Sequence, residues 1–202
     1  MLATTTWQTL TFSKSGLDQG LYYKFAVAAV NAIGTSDKAE SVPIIAATIP
    51  GVPQTPSLLY QSKTAIGIQW SDPLDLGGTT LDEYIIEMDN GSTAGNTEFT
   101  ELATISNQET DQYTTTVTLV VGDIYNFRIT AVNIVGPSEP SSSFSAMAAV
   151  KPDSPGTPTR KTASETSITI EWTAPSDNGG VSIDNYSVYW DEGSGGSFVY
   201  LG

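Results

Sequence analysis

Residues 122–138 read GDIYNFRITAVNIVGPS, and apolar and polar side chains alternate through them with a period of two. Successive side chains of an extended chain point to opposite faces. Tyr125, Phe127, Ile129 and Ala131 therefore fall on one side, and Asn126, Arg128 and Thr130 on the other. Gly122 before the stretch and Gly136-Pro137 after it are turn formers. The reading is a β-strand with one face toward a core. Nearly the same string stands earlier, as GLYYKFAVAAVNAIGTS at residues 20–36.

The two strings lie 102 residues apart, and the shift extends in both directions without a gap. It carries Pro50, Pro53 and Pro56 onto Pro152, Pro155 and Pro158, and Ile66, Ile68 and Trp70 onto Ile168, Ile170 and Trp172. It also carries Gly77, Gly78 and Tyr84 onto Gly179, Gly180 and Tyr186. So many unlike residues in one register mark an internal repeat. Within the repeat, AIGIQW and SITIEW alternate with period two, and DEYIIEM sets Tyr84, Ile86 and Met88 on one face. Turn signals at Pro73, Gly77-Gly78 and Asn90-Gly91 separate these runs. Short alternating strands at that spacing, with no helical stretch, predict an all-β, two-sheet sandwich.

The ordered set of residues resembles the fibronectin type III family. Its parts are the proline-rich entry Pro50 to Pro56, the tryptophans Trp70 and Trp172, and the Pro-x-Asp-x-Gly-Gly loops at 73–78 and 175–180. Tyr84 and Tyr186 follow, then the Tyr-x-Phe strand closed by Asn and Gly-x-Ser. The resemblance implies tandem immunoglobulin-like Greek-key sandwiches of seven strands, labelled A to G, with roles in adhesion, scaffolding or spacing. It also implies that Tyr23 and Tyr125 are tyrosine corners whose hydroxyls bond backbone. Trp70 and Trp172 read as core residues, and truncating such a side chain to alanine costs about 3–5 kcal/mol.

The repeat phase predicts three pieces: strands E, F and G of one module at 1–49, a whole module at 50–151, and strands A, B, C and C′ of another at 152–202. About fifty residues ordered at roughly 1–2 kcal/mol each cost more than one uncovered sheet face returns. The halves are complementary, so the expectation is that the leading half of one chain completes the trailing half of another, head to tail. Trp7, Leu10, Phe12, Tyr23, Phe25 and Val27 form the candidate surface of the leading half. Ile168, Ile170, Trp172, Tyr186, Val188 and Trp190 form that of the trailing half. Completion within one chain is not expected, because an odd number of strands puts the ends of the whole module at opposite poles.

Twenty-two acidic residues against 8 basic ones give a formal charge of −14. Nucleic acid and anionic lipid are bound through Lys/Arg clusters, so both are excluded as partners. The acidity serves solubility and repulsion between modules. Weak calcium binding would need several oxygen ligands converging on one point, and no EF-hand-like spacing occurs. The chain has neither cysteine nor histidine, which removes the usual thiol nucleophiles, imidazole bases and zinc or copper ligand sets. No cofactor is expected.

Asp72/Asp75 and Asp82/Glu83 are the only carboxylate pairs considered for glycoside hydrolysis. They sit in a loop and a strand start with no cleft between them, so no enzyme is expected. The function read here is a structural or adhesive protein of interacting or spacer modules, whose partners are copies of itself or neighbouring modules. The alternative is a linker or accessory module of a secreted carbohydrate-active enzyme. Trp190 follows Tyr186 and Val188 at strand spacing and is expected to pack inward, with Asn185 beginning that strand. Trp7 either covers a module edge or stacks on a sugar. Asn90-Gly91-Ser92 and Asn185-Tyr186-Ser187 match the N-glycosylation pattern. The family points to an extracellular or cell-surface location, although no signal peptide precedes the first strand.

Overall fold

The computed structural model describes residues 10–91, 98–107 and 110–201. Among the described residues every regular element is a strand. The leading segment carries β1 (Tyr22–Tyr23), β2 (Ala26–Val27), β3 (Ala39–Glu40) and β4 (Ile44–Ile45). The middle of the chain forms β5 (Ser57–Gln61), β6 (Ile66–Gln69), β7 (Leu81–Met88), β8 (Thr100–Ser106), β9 (Gln112–Thr114), β10 (Ile124–Asn133), β11 (Gly136–Pro137) and β12 (Phe144–Met147). The trailing segment carries β13 (Thr159–Ala163), β14 (Ile168–Glu171), β15 (Tyr189–Trp190) and β16 (Val199–Tyr200).

In the middle, β5, β6 and β9 form one antiparallel sheet, and β11, β10, β7 and β8 form the other, with β12 also on β10. Alternation decides what lies between them. Ile66, Ile68 and Trp70 point in from the first sheet, and Tyr84, Ile86, Met88, Tyr125, Phe127, Ile129 and Ala131 from the second; all ten are buried. The Trp70 and Tyr84 rings meet edge to face at 5.5 Å. On the outer face, Arg128 stands opposite Glu87 in the register and grips it through two hydrogen bonds of 2.7 and 2.8 Å. The guanidinium also lies 4.2 Å from the centre of the Phe99 ring, a cation–π contact. Thr130, on the same outer face, departs from the expected pattern and is buried. It stands opposite Ile85, itself half-buried.

The end segments repeat the middle in detail. Tyr22 pairs with Ile45 and Tyr23 with Ile44, as Ile124 pairs with Met147 and Tyr125 with Ala146. The Asp18 amide donates to the Tyr23 hydroxyl at 2.9 Å, and the Val120 amide to the Tyr125 hydroxyl at 2.7 Å. Trp172 meets Tyr186 edge to face at 5.6 Å. One difference is instructive. β7 runs eight residues, whereas β15 runs two. Trp190 is 48% exposed rather than packed inward, and Asn185 lies outside any strand. The cause is the missing neighbour. β7 is held between β10 and β8, while β15 pairs only with β16, and an edge without a partner loses half its ladder.

Candidate functional site: a repeated joint and two uncovered faces

The Asp-x-Gly-Gly loop is built by a carboxylate and two glycines. Asp75 Oδ1 accepts from the Gly77 amide at 2.9 Å, and Asp177 Oδ1 from the Gly179 amide at 2.8 Å. This local bond turns the chain, and the glycine pairs take positive φ, 73° and 89° in one loop and 78° and 98° in the other. Each loop is thereby pressed against the segment before it. The Thr48 amide donates to the Gly77 carbonyl at 2.8 Å, and the Val150 amide to the Gly179 carbonyl at 2.9 Å. The Gly51 amide donates to the Asp75 carbonyl at 2.8 Å, and the Asp153 amide to the Asp177 carbonyl at 2.9 Å. These are the same bonds, 102 residues apart.

The fit leaves no room for side chains. A Cβ on Gly77 would stand 2.2 Å from the Thr48 carbonyl oxygen, and one on Gly179 2.0 Å from that of Val150. Asn133 locks the first joint, its Nδ2 donating to the carbonyls of Thr48 and Leu76 at 2.8 and 3.0 Å. The second joint has an ion pair between Lys63 and Asp177. That hydrogen bond, helped by the Gly179 amide, holds the Asp177 carboxyl below its ordinary value. Sequence reading found the glycines as turn formers but missed their contact with the linker. The doubled glycine in both copies was the available signal.

The predicted surface residues fall into two separate groups. At the leading end, Leu10, Phe12 and Val27 are exposed, Tyr23 and Phe25 are half-buried, and Trp7 lies outside the described residues. At the trailing end, Ile168, Ile170, Tyr186 and Trp190 are exposed, while Trp172 and Val188 are half-buried. Ile170, Trp172, Tyr186 and Val188 line one open apolar trough of about 430 Å³ with Pro155 and Pro158.

Of the four candidate catalytic carboxylates, Asp72 and Asp75 make local hydrogen bonds. Asp72 accepts from the Tyr84 hydroxyl at 2.6 Å, and Asp75 caps its own turn. Asp82 is exposed and its carbonyl accepts from the Asn107 amide. Glu83 lies within β7, opposite Ser106 and Val132. Among the described residues, no three acidic side chains are grouped to hold a metal ion.

The sequence profile of the "Fibronectin type III domain" matches residues 51–146. The chain is 32% identical to "Fibronectin type-III domain-containing protein 3a" of Gallus gallus, over 90% of its own length and 15% of that protein's. It is 29% identical to "Myomesin-2" of Homo sapiens, over 93% of this chain and 13% of that one. It is also 31% identical to "M-protein, striated muscle" of Gallus gallus, over 90% of this chain and 13% of the relative. The chain thus spans less than a fifth of each. The domain at residues 51–146 belongs to the fibronectin type III family.

Proposed function

We propose that this chain is a run of tandem fibronectin type III units acting without catalysis, as a structural or adhesive spacer and a protein-interaction surface. The units divide at 1–49, 50–151 and 152–202, the first and last being parts of units. The observation that carries this reading is the joint. Its two pairs of backbone hydrogen bonds recur with the repeat, and its glycines admit no side chain at either copy. Domains within one chain ordinarily move against each other unless their contact is extensive. A joint closed by backbone bonds on both sides of a proline-containing linker fixes the spacing and direction of successive units, which is what a spacer requires. The acidic surface, at −14 overall, keeps neighbouring units apart except where they are bonded.

Amide hydrogen exchange on the full chain tests the reading, because exchange reports the opening of individual backbone bonds. The amides of Thr48, Gly51, Val150 and Asp153 are expected to exchange at least ten-fold more slowly than amides of exposed loops. Gly77→Val should abolish that protection at Thr48 and leave it at Val150. Fast exchange at all four amides in the unsubstituted chain would overturn the spacer reading.

A further inference from the structure

Resting on the spacer reading above, we propose that the hydroxyls of Tyr23 and Tyr125 are positioning groups for the joints. Each holds the turn on which the glycine loop of the next unit is seated. The Asp18 amide donates to the Tyr23 hydroxyl at 2.9 Å, and the Val120 amide to the Tyr125 hydroxyl at 2.7 Å. Such a bond is expected of a tyrosine corner; its service to a neighbouring unit is not. Asp18 and Val120 each open a turn. The Leu21 amide donates to the Asp18 carbonyl at 3.4 Å, and the Asp123 amide to the Val120 carbonyl at 3.1 Å. Within these turns Gly20 and Gly122 take φ of 80° and 91°, a conformation that glycine adopts without steric cost.

Each turn grips the linker and the loop beyond it. The Gly20 amide donates to the Ala46 carbonyl at 2.9 Å, and the Gly122 amide to the Ala148 carbonyl at 3.0 Å. The amides of Ala46 and Ala148 donate in return to the carbonyls of Leu21 and Asp123, both at 2.9 Å. Two residues further on, the Thr48 and Val150 amides donate to the glycine loops. The linker is thus bonded first to the turn behind it and then to the loop ahead. Turn and loop also touch directly. A Cβ on Gly20 would stand 2.6 Å from the Gly78 carbonyl oxygen, and one on Gly122 3.2 Å from that of Gly180. Conversely, a Cβ on Gly78 would meet Gln19 Cγ at 2.2 Å, and one on Gly180 would meet Val121 Cγ1 at 2.5 Å. Every one of these relations recurs with the repeat, although Gln19 and Val121 differ in chemistry.

The middle unit shows what anchors the hydroxyl. Tyr125 lies on β10 and is 3% exposed, and its ring packs so closely on Gly91 that a Cβ there would come within 2.1 Å. The core therefore fixes the ring, the ring its hydroxyl, the hydroxyl the turn, and the turn both linker and loop. The coupling runs one way along the chain. Tyr125 serves the joint that follows its own unit, at Val150. The joint that precedes the unit, at Thr48, is held from within the unit by Asn133 and by the Asp75 loop. Losing the Tyr125 hydroxyl releases the first of these and spares the second.

Tyr125→Phe in the full chain removes the hydroxyl and keeps the ring. Amide exchange at Val150 is expected to quicken about ten-fold, the loss of one buried hydrogen bond, while exchange at Thr48 stays as it was. Tyr23→Phe should do the reverse, quickening Thr48 and sparing Val150. Slow exchange along β10 in Tyr125→Phe shows that the middle unit is still folded. Should that variant unfold, Tyr23→Phe decides the matter at the other joint. Ile129→Val, a core truncation of comparable cost, separates positioning from a general loss of stability and should leave Val150 protected. Unchanged protection at Val150 in a folded Tyr125→Phe, equal losses at Val150 and Thr48, or the same quickening in Ile129→Val would overturn the proposal. Protection of both joints in the unsubstituted chain is a separate result, so the spacer reading survives if only the tyrosine variants fail.

Discussion

The Tyr84 hydroxyl donates a 2.6 Å hydrogen bond to Oδ1 of Asp72 while the Tyr84 ring stands edge to face against Trp70 at 5.5 Å. One side chain thus ties the interior of the middle unit to the loop that opens toward the joint. Burial is the main reason that the phenol holds its proton well above its ordinary value of 10.0, and the bond to Asp72 adds to it. The folded chain therefore resists ionising this group, while the unfolded chain does not.

The sign follows from linkage. A phenol whose titration is raised on folding contributes stability that is complete below about pH 10 and is lost as pH rises past it. Urea unfolding at about pH 8 and about pH 11 is expected to show a clear loss of stability at the higher pH. Tyr84→Phe should begin about 0.5–1.5 kcal/mol lower, because exposed Asp72 regains water in place of its donor. It should then lose less between the two conditions. Equal losses in both proteins would remove Tyr84 as the cause.

Gly91 and Gly193 share a backbone conformation, with φ of 71° and 72°, but differ in surroundings. A Cβ on Gly91 would come within 2.1 Å of the Tyr125 ring, whereas one on Gly193 meets nothing within 4 Å. The left-handed conformation alone costs a side chain roughly 1–2 kcal/mol, and overpacking a core adds about 1–3. Gly91→Ala is therefore expected to lower the main unfolding transition by several degrees. Gly193→Ala carries only the conformational cost and should lower stability less than Gly91→Ala. Thermal melts of the two variants decide the matter.

Lys63 reaches across the second joint to Asp177, and this contact, with the Gly179 amide, lowers the carboxyl's titration below its ordinary 3.8. The stabilisation is present above 3.8 and is lost as pH falls through the lowered value. Following the Asp177 carboxyl by NMR, Lys63→Gln is expected to move its midpoint upward toward 3.8. The Gly179 bond keeps part of the shift. Because both partners are solvent-accessible, raised salt should have the same direction of effect.

The core of the middle unit was legible residue by residue. Ile66, Ile68, Trp70, Tyr84, Ile86 and Met88 were read as inward from alternation alone, and each is buried. Alternation speaks only of two faces, and it misread Thr130, which is buried although it stands on the outer one. Trp190 was misread for a related reason. Its spacing is that of an inward residue, but a strand holds that geometry only when both edges are paired.

What the sequence determined by itself is the period of 102 residues, the all-β class and the identity of the side chains that face a core. These are local or repetitive properties, fixed by the two-residue pleat and by turn chemistry. The tertiary structure decided the rest: that Gly77 and Gly179 are packed against Thr48 and Val150, that Lys63 meets Asp177, and that β15 stops after two residues. Each depends on how closely distant backbone segments approach or on whether a neighbouring strand is present, and neither is written in the order of residues along one segment.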